Sequence, residues 1–374
     1  MINLVAVGDI EFSNRYFGRY GDKTELPPSL GPWMRHHVES NNSKLILNWL
    51  KEADVAFANL ETTLAKSQPY YHPRPITYRF RAEPKNAEDL KSLGIGVVSL
   101  ANNHVFDYGD SAFIETLETL EKAGIEHVGA GMNIEEALTP VILDVNDQRI
   151  AFLGFATVFP VMGIASHDRP GVAAVRNKIV YEFDSPRLPT DMRPGYSTLP
   201  KIYEVPMADD VRRMKDSIKH AKEGSDIVVV SVHWGREYED TPNEGQRTLG
   251  HRMIDAGADL VIGHHPHTAQ AIEIYKGKHL FYSLGNFMMQ VEWDIARCEM
   301  YLNEAFMVKV GIEDKNISMV EILPTRTDKT GLPMITEDFP NVIDHLKRIS
   351  SPLKASIISR GQGAMVEPVN RIRR

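Results

Sequence analysis

The segment Ser99-Leu-Ala-Asn-Asn-His-Val-Phe-Asp-Tyr-Gly109 sets an amide, Asn103, beside an imidazole, His104, where the apolar run 96–100 ends. An amide oxygen is a metal-type ligand, and an imidazole with an ordinary pKa of about 6.5 can give or take a proton at neutral pH. Asp107, three residues on in a turn, can accept a hydrogen bond that orients either His104 or a metal ligand. The same event recurs along the chain with complementary residue types. Gly8-Asp9-Ile10-Glu11 follows the run 4–7, and Asn59-Leu60-Glu61 follows the run 54–58. His233-Trp234-Gly235 follows 227–232, and Gly263-His264-His265-Pro266-His267 follows 259–262. Borderline divalent cations favour this mixed set of oxygen and nitrogen donors.

Each run is short, apolar and rich in β-branched residues, as strands covered on both faces are. The expected architecture is an α/β fold in layers, with polar strand ends delivered to one rim. Helical faces lie between the runs. Phe113, Leu117 and Leu120 lead to Gly124; Val211, Met214, Ile218 and Ala221 lead to Gly224; Met253 and Ile254 lead to Gly257. Each glycine is expected at a left-handed helix C-cap. Thr241-Pro242-Asn243-Glu244 reads as a capping box with Pro at the first helical position. Residues 158–206 interrupt the pattern with repeated prolines and glycines, as an inserted loop or cover does. Residues 64–82 are a smaller interruption, in which Tyr78-Arg79-Phe80-Arg81 is expected as a short strand with both arginines on one face. The runs 306–312 and 317–323 lack polar ends and read as structural. Beyond residue 330 a helix and a loosely held end are expected.

The chain has 374 residues, 43% hydrophobic and 25% charged, with a net charge of −8. That is the balance of a globular protein. The expected division is a main domain over 1–325, containing the 158–206 insertion, and a tail over 326–374 packed on it. Apart from Arg371-Ile372-Arg373-Arg374 there is no basic run, which argues against a nucleic-acid partner. An anionic polymer would need a local basic patch working against the global charge. The single cysteine, Cys298, excludes an internal disulfide and a cysteine-based zinc site. No segment approaches the roughly 18 apolar residues of a membrane span, and no leader-like opening is present. A soluble cytoplasmic protein is therefore expected.

In order, Gly8-Asp9-Ile10, Asn59-Leu60-Glu61, the 101–109 turn, His233-Trp234-Gly235, His265-Pro266-His267 and Tyr282-Ser-Leu-Gly-Asn-Phe287 resemble the CapA family. These are poly-γ-glutamate capsule synthesis proteins, a branch of the calcineurin-like metallophosphoesterases, and the likeness runs over residues 3–312. The resemblance implies a sandwich of two β-sheets flanked by helices (α/β/β/α) with a metal centre at the strand ends. Carried over by motif, Asp9 is a carboxylate ligand, Glu61 stands at the bridging position, and Asn103 is the amide ligand. His104 is the acid that protonates a leaving group, His233 the isolated histidine ligand, and His265 and His267 the paired ligands. His264 falls outside the implied ligand set. The implied cofactor is one or two divalent ions, Mn, Fe or Zn. The implied activity is hydrolysis of a phosphoester or of an acidic peptide or poly-γ-glutamate-like substrate.

Two positions depart from the superfamily pattern. Its Asp-x-His is Asp9-Ile10-Glu11 here, and Glu61 replaces an Asp. Residues i and i+2 of a strand share a face, so Glu11 either replaces the imidazole as an oxygen ligand, serves as a metal-independent base, or points away. Two alternatives to the hydrolase stand beside it: a metal-independent acid/base enzyme acting on a peptide, and a non-catalytic polymer-binding component of capsule synthesis. Arg79, Arg81 and Arg236 are candidate anchors for an anionic substrate, because guanidinium forks match carboxylates and phosphates; ordinary salt bridging is the alternative. Asn286 either turns the chain or helps close the site. His36, His37, His72 and His127 have no ligand-like context and are expected at the surface.

Overall fold

A computed structural model describes residues 1–12, 43–66, 79–182, 201–289, 304–328, 331–335 and 339–368. The early apolar runs form parallel neighbours in one sheet, β1 (Ile2–Glu11), β2 (Val55–Leu60), β3 (Ile95–Ser99) and β4 (Glu126–Val128). The chain then builds a second sheet from β5 (Val141–Val145), β6 (Gln148–Ala156), β7 (Ile227–His233), β8 (Leu260–His264), β9 (Ile272–Tyr275) and β10 (Lys278–Phe281). Its order is β9-β10-β8-β7-β6-β5, with β6, β7, β8 and β10 parallel. The chain returns to the first sheet as β11 (Asn286–Met289), parallel to β1, and as the antiparallel β12 (Ala305–Glu313) and β13 (Asn316–Thr327). Beyond β13 lie β14 (Pro333–Ile335), β15 (Ala355–Arg360) and β16 (Gly363–Pro368).

Side-chain alternation decides which residues each face contributes. Leu4, Ala6, Phe57 and Val97 of the first sheet meet Phe152, Val229, Ile262 and Phe281 of the second in one dry core. Phe57 and Phe152 stack across it with ring centroids 5.8 Å apart. The other face of the first sheet, through Val5, Val7 and Val98, is covered by α1 (Lys44–Glu52), α2 (Asn86–Ser92) and α3 (Gly109–Ala123). The other face of the second, through Leu153, Val228 and Val230, is covered by α4 (Ile134–Leu138), α5 (Ala208–Gly224) and α6 (Glu244–Ala256). The layers are α/β/β/α, as expected. Among the described residues no helix is long and apolar enough to cross a membrane.

Local expectations met mixed outcomes. Gly124 caps α3 in the left-handed conformation, and Gly257 caps α6 at φ 124°. Gly224 instead ends α5 inside the helix, and extended Ser225 follows it. The capping box lies two residues later than expected: Asn243 accepts from Gln246 N–H at 2.9 Å, and the Gln246 amide oxygen takes the Asn243 N–H at 3.0 Å. Thr241 and Pro242 precede that helix. The short strand is Arg81–Ala82, parallel to Thr63–Leu64, rather than 78–81; Tyr78 lies outside the described residues. Beyond residue 330 the described part of the tail, through Pro368, adds a hairpin to the expected helix. After α7 (Phe339–Ser350) the β15–β16 hairpin joins the first sheet through β13, and Ile357 and Val366 enter the inter-sheet core.

Within the insertion, Gly171–Val172 pairs with Ala130–Gly131, and Asn177–Glu182 forms a ribbon with Lys201–Pro206. Residues 183–200, His36, His37, His72, Cys298 and the basic terminus lie outside the described residues. His127 is half-buried on β4 rather than on the open surface.

Candidate metal centre

Strand β1 continues through the first polar motif instead of ending before it. Its register with β2 breaks between Ala6 and Asp9, and such an irregularity re-aims a side chain. Gly8 makes this possible: a Cβ there would overlap the Gly285 carbonyl oxygen, which accepts the Asp9 N–H at 3.0 Å. Asp9 is thereby set level with Asn59 on β2 and Asn286 on β11. It is fully buried, and its Oδ1 accepts from Asn59 Nδ2 at 2.9 Å and lies 3.1 Å from His264 Nδ1. Its Oδ2 accepts the His265 N–H at 3.1 Å and lies 3.6 Å from His267 Nδ1.

Glu61 follows β2, with its N–H donated to Ile10 O at 2.8 Å, and Thr63–Leu64 continues as strand rather than helix. The side chain is fully buried, and among the described residues neither carboxylate oxygen has a hydrogen-bond partner. Oε1 lies 3.5 Å from His233 Nε2, which is 2.6 Å from Asn103 Oδ1. His265 and His267 adopt left-handed backbone at φ 94° and 57°, conformations that non-glycine residues rarely hold. His267 Nδ1 meets Asn286 Oδ1 at 2.9 Å, while that amide's Nδ2 donates to His267 O at 3.3 Å. The second bond orients the amide, so Nδ1 carries the proton.

Among the described residues the donors form three overlapping groups, each with ligand atoms within 4.8 Å of one another: Glu61, His233 and His265; Asp9, Glu61 and His267; Glu237, His265 and His267. Glu61 belongs to both fully buried groups. Glu11 is buried and its charge acts on Glu61, but it belongs to none of the three.

Burial, followed by the charges of Asp9, Glu11, Glu237 and Asp107, pushes the Glu61 carboxyl well above its usual range. Burial also acts to raise Asp9, but the His264 contact, the charge of His267 and the Asn59 amide outweigh it and hold that carboxyl low. Burial and the neighbouring histidines press His233 well below the ordinary imidazole range, and His265 down to about 3. The result is two neutral imidazoles, His233 and His265, beside a buried carboxyl that burial and neighbouring acids hold against ionisation. That is the electrostatic preference of a metal site, and the unsatisfied oxygens of Glu61 fit a hard or borderline ion.

A cation must displace the proton that Glu61 carries, whereas His265 is already neutral above about pH 3. Affinity for Mn or Zn is therefore expected to rise with pH by about tenfold per unit while Glu61 titrates. Competition against a chromophoric chelator measures this, and the slope should flatten in Glu61→Gln.

Beside these groups, His104 Nδ1 pairs with Asp107 Oδ2 at 2.7 Å, and the same oxygen accepts Phe80 N–H at 2.8 Å. The His104 ring rests on Phe80 with centroids 4.2 Å apart. The turn itself is held by Asn102, whose Oδ1 accepts from His104 N and Val105 N.

The candidate anchors diverge. Arg81 lies over the Tyr108 ring at 5.0 Å, with Arg79 near enough to act on the same phenol. Arg236 is exposed and faces Glu204 at 3.7 Å and Glu239 at 3.6 Å, the ordinary reading for that residue. Sequence reasoning missed Glu237, Asn59 and Asn102, and it left out His264. The alternation of β8 could have placed His264 on the inter-sheet face with Leu260 and Ile262, directly against Asp9.

Residues 3–291 match the family described as bacterial capsule synthesis protein PGA_cap. The chain belongs to that family. It is 32% identical over 300 residues to the PGA biosynthesis protein CapA of Bacillus subtilis, covering 79% of this chain and 68% of that one. It is 28% identical over 277 residues to the capsule biosynthesis protein CapA of Bacillus anthracis, covering 74% of this chain and 59% of that one. A probable polyglutamine synthesis accessory protein of Mycobacterium tuberculosis is 29% identical over 306 residues, covering 79% of this chain and 73% of that one. This chain therefore spans about three fifths to three quarters of these relatives. The family match contains every strand-end motif described above, and the two-sheet sandwich is consistent with a metallophosphoesterase-like fold.

Proposed function

We propose that this protein is a metal-dependent hydrolase of capsule polymer production, acting on an acidic γ-glutamyl chain or a related peptide. The sharing of Glu61 between two buried donor groups, next to the His104–Asp107 pair, carries this reading. Asp9, Glu61, Asn103, His233, His265 and His267 would hold one or two divalent ions. Such ions supply Lewis acidity and lower the pKa of water. The chain's own residues do the rest. Asp107 accepts a hydrogen bond from Nδ1–H of His104, so the proton delivered to the departing nitrogen or oxygen is the one on Nε2. Phe80 fixes the plane of the ring. Arg79 and Arg81 would hold substrate carboxylates at the rim.

The names of the Bacillus relatives support the polymer, and the donor set supports the hydrolysis. The word "accessory" in the mycobacterial name favours a second reading, a component that binds polymer without cleaving it. Mn-loaded protein incubated with poly-γ-glutamate separates the two, with chain length read by gel filtration. Shortened chains are expected. Asp107→Asn presents an amide to His104, disfavours the required tautomer and is expected to lower kcat by about 10²–10⁴-fold with little change in KM. Bound but uncut polymer, with any of Mn, Fe or Zn, would leave the binding component as the function.

A further inference from the structure

The segment that leaves β6 passes over the His104 turn, where Gly163 packs on the Phe106 ring, and returns with Ala174 bridged to Ala156. Against α4 and α5 this segment encloses a groove of about 620 Å³. Ile164, Ala165 and Ala174 supply an apolar lining, and Arg169, Arg176 and Arg213 supply positive charge. Asp210 organises that charge. Its fully buried carboxylate accepts Arg176 Nε at 2.7 Å and Nη2 at 2.8 Å, and Arg213 Nη2 at 2.5 Å. One carboxylate thus holds two guanidinium groups side by side and offsets only one of their charges. The two side chains stay 42% and 45% exposed, and each guanidinium has five N–H donors, more than Asp210 uses. Arg169 adds a third charge, steadied by its bond to Ile164 O at 2.9 Å. Asp168 beside Arg169 and Asp209 near Arg176 balance that charge, so what the groove offers is a set of held guanidinium forks rather than an excess of positive charge.

We infer that this groove is a carboxylate subsite for the acidic chain processed at His104, an inference that rests on the function proposed above. A γ-linked glutamyl chain carries two methylenes per residue in its backbone and an α-carboxylate beside them. Methylenes suit the apolar lining, and carboxylates suit preorganised guanidinium forks. The segment that lines the groove also packs, through Gly163, on Phe106, two residues from His104.

The test is calorimetric titration of a γ-linked glutamate hexamer at low salt into Mn-loaded protein. Arg169→Gln/Arg213→Gln leaves Arg176 bidentate on Asp210, so the buried carboxylate stays paired and the fold is kept. This variant is expected to bind the hexamer at least tenfold more weakly, with unchanged metal content. Arg169→Gln alone, at an exposed position, should move in the same direction by less. Unchanged hexamer affinity in both, alongside weakened binding in Arg79→Gln/Arg81→Gln, would overturn the groove and keep the proposed function. Binding of inorganic phosphate at the groove without any hexamer binding would overturn both.

Discussion

Gly8→Ala is expected to cost about 3 kcal/mol of stability in urea unfolding, near the upper end of overpacking effects. The added Cβ would overlap the Gly285 carbonyl oxygen, a backbone atom that cannot rotate away. Gly285 is itself pinned, with φ 74° and close backbone neighbours at Glu304 and Ala305. Relief requires β1 to move off β11, which separates Asp9 from Asn286 and disturbs the donors with the core. The matched control lies in the same sheet. At Gly96 on β3 a Cβ meets nothing within 4 Å among the described residues, so Gly96→Ala should change stability by no more than about 0.5 kcal/mol. Equal effects at the two positions would rule out the close approach at Gly8 as the cause.

The second large effect comes from metal removal. Asp9 and Glu61 are fully buried, and among the described residues the oxygens of Glu61 accept no hydrogen bond. A cation that binds only the folded state stabilises it by RT ln(1 + [L]/Kd), about 4 kcal/mol at a thousandfold excess over Kd. Chelation of Mn- or Zn-loaded protein should therefore lower stability by about that amount, and His265→Ala/His267→Ala should not respond to chelator at all. A wild type equally stable with and without chelator would mean that the donors satisfy one another without an ion.

The rim was legible in the sequence because each strand end is a local pattern. A β-branched run covered on both faces points its C-terminal residues toward the site, and five such runs carry donors. What the sequence did not disclose depends on distant pairing. Asn59 reads as an ordinary turn amide until the register of β1 and β2 places it 2.9 Å from Asp9. His264 reads as a spare histidine until the sandwich closes over it. Glu237 joins the donors only because the chain after β7 folds back, with Tyr238 N–H bonded to Pro266 O. The β15–β16 hairpin looked loosely held because its partner strand, β13, ends 36 residues before the hairpin closes at Gly363. Asn243 captured the helix start from Thr241 because its side chain and that of Gln246 satisfy each other's backbone donors.

Elemental mass spectrometry on protein purified without a histidine tag, beside His265→Ala/His267→Ala, tests the metal centre most directly. One to two equivalents of Mn, Fe or Zn per chain are expected in the wild type, falling to background in the folded variant. A wild type that stays free of metal after incubation with each of these ions would contradict the centre. The chemistry would then pass to His104, Glu11 and Asp9 as acid and base, or to polymer binding alone.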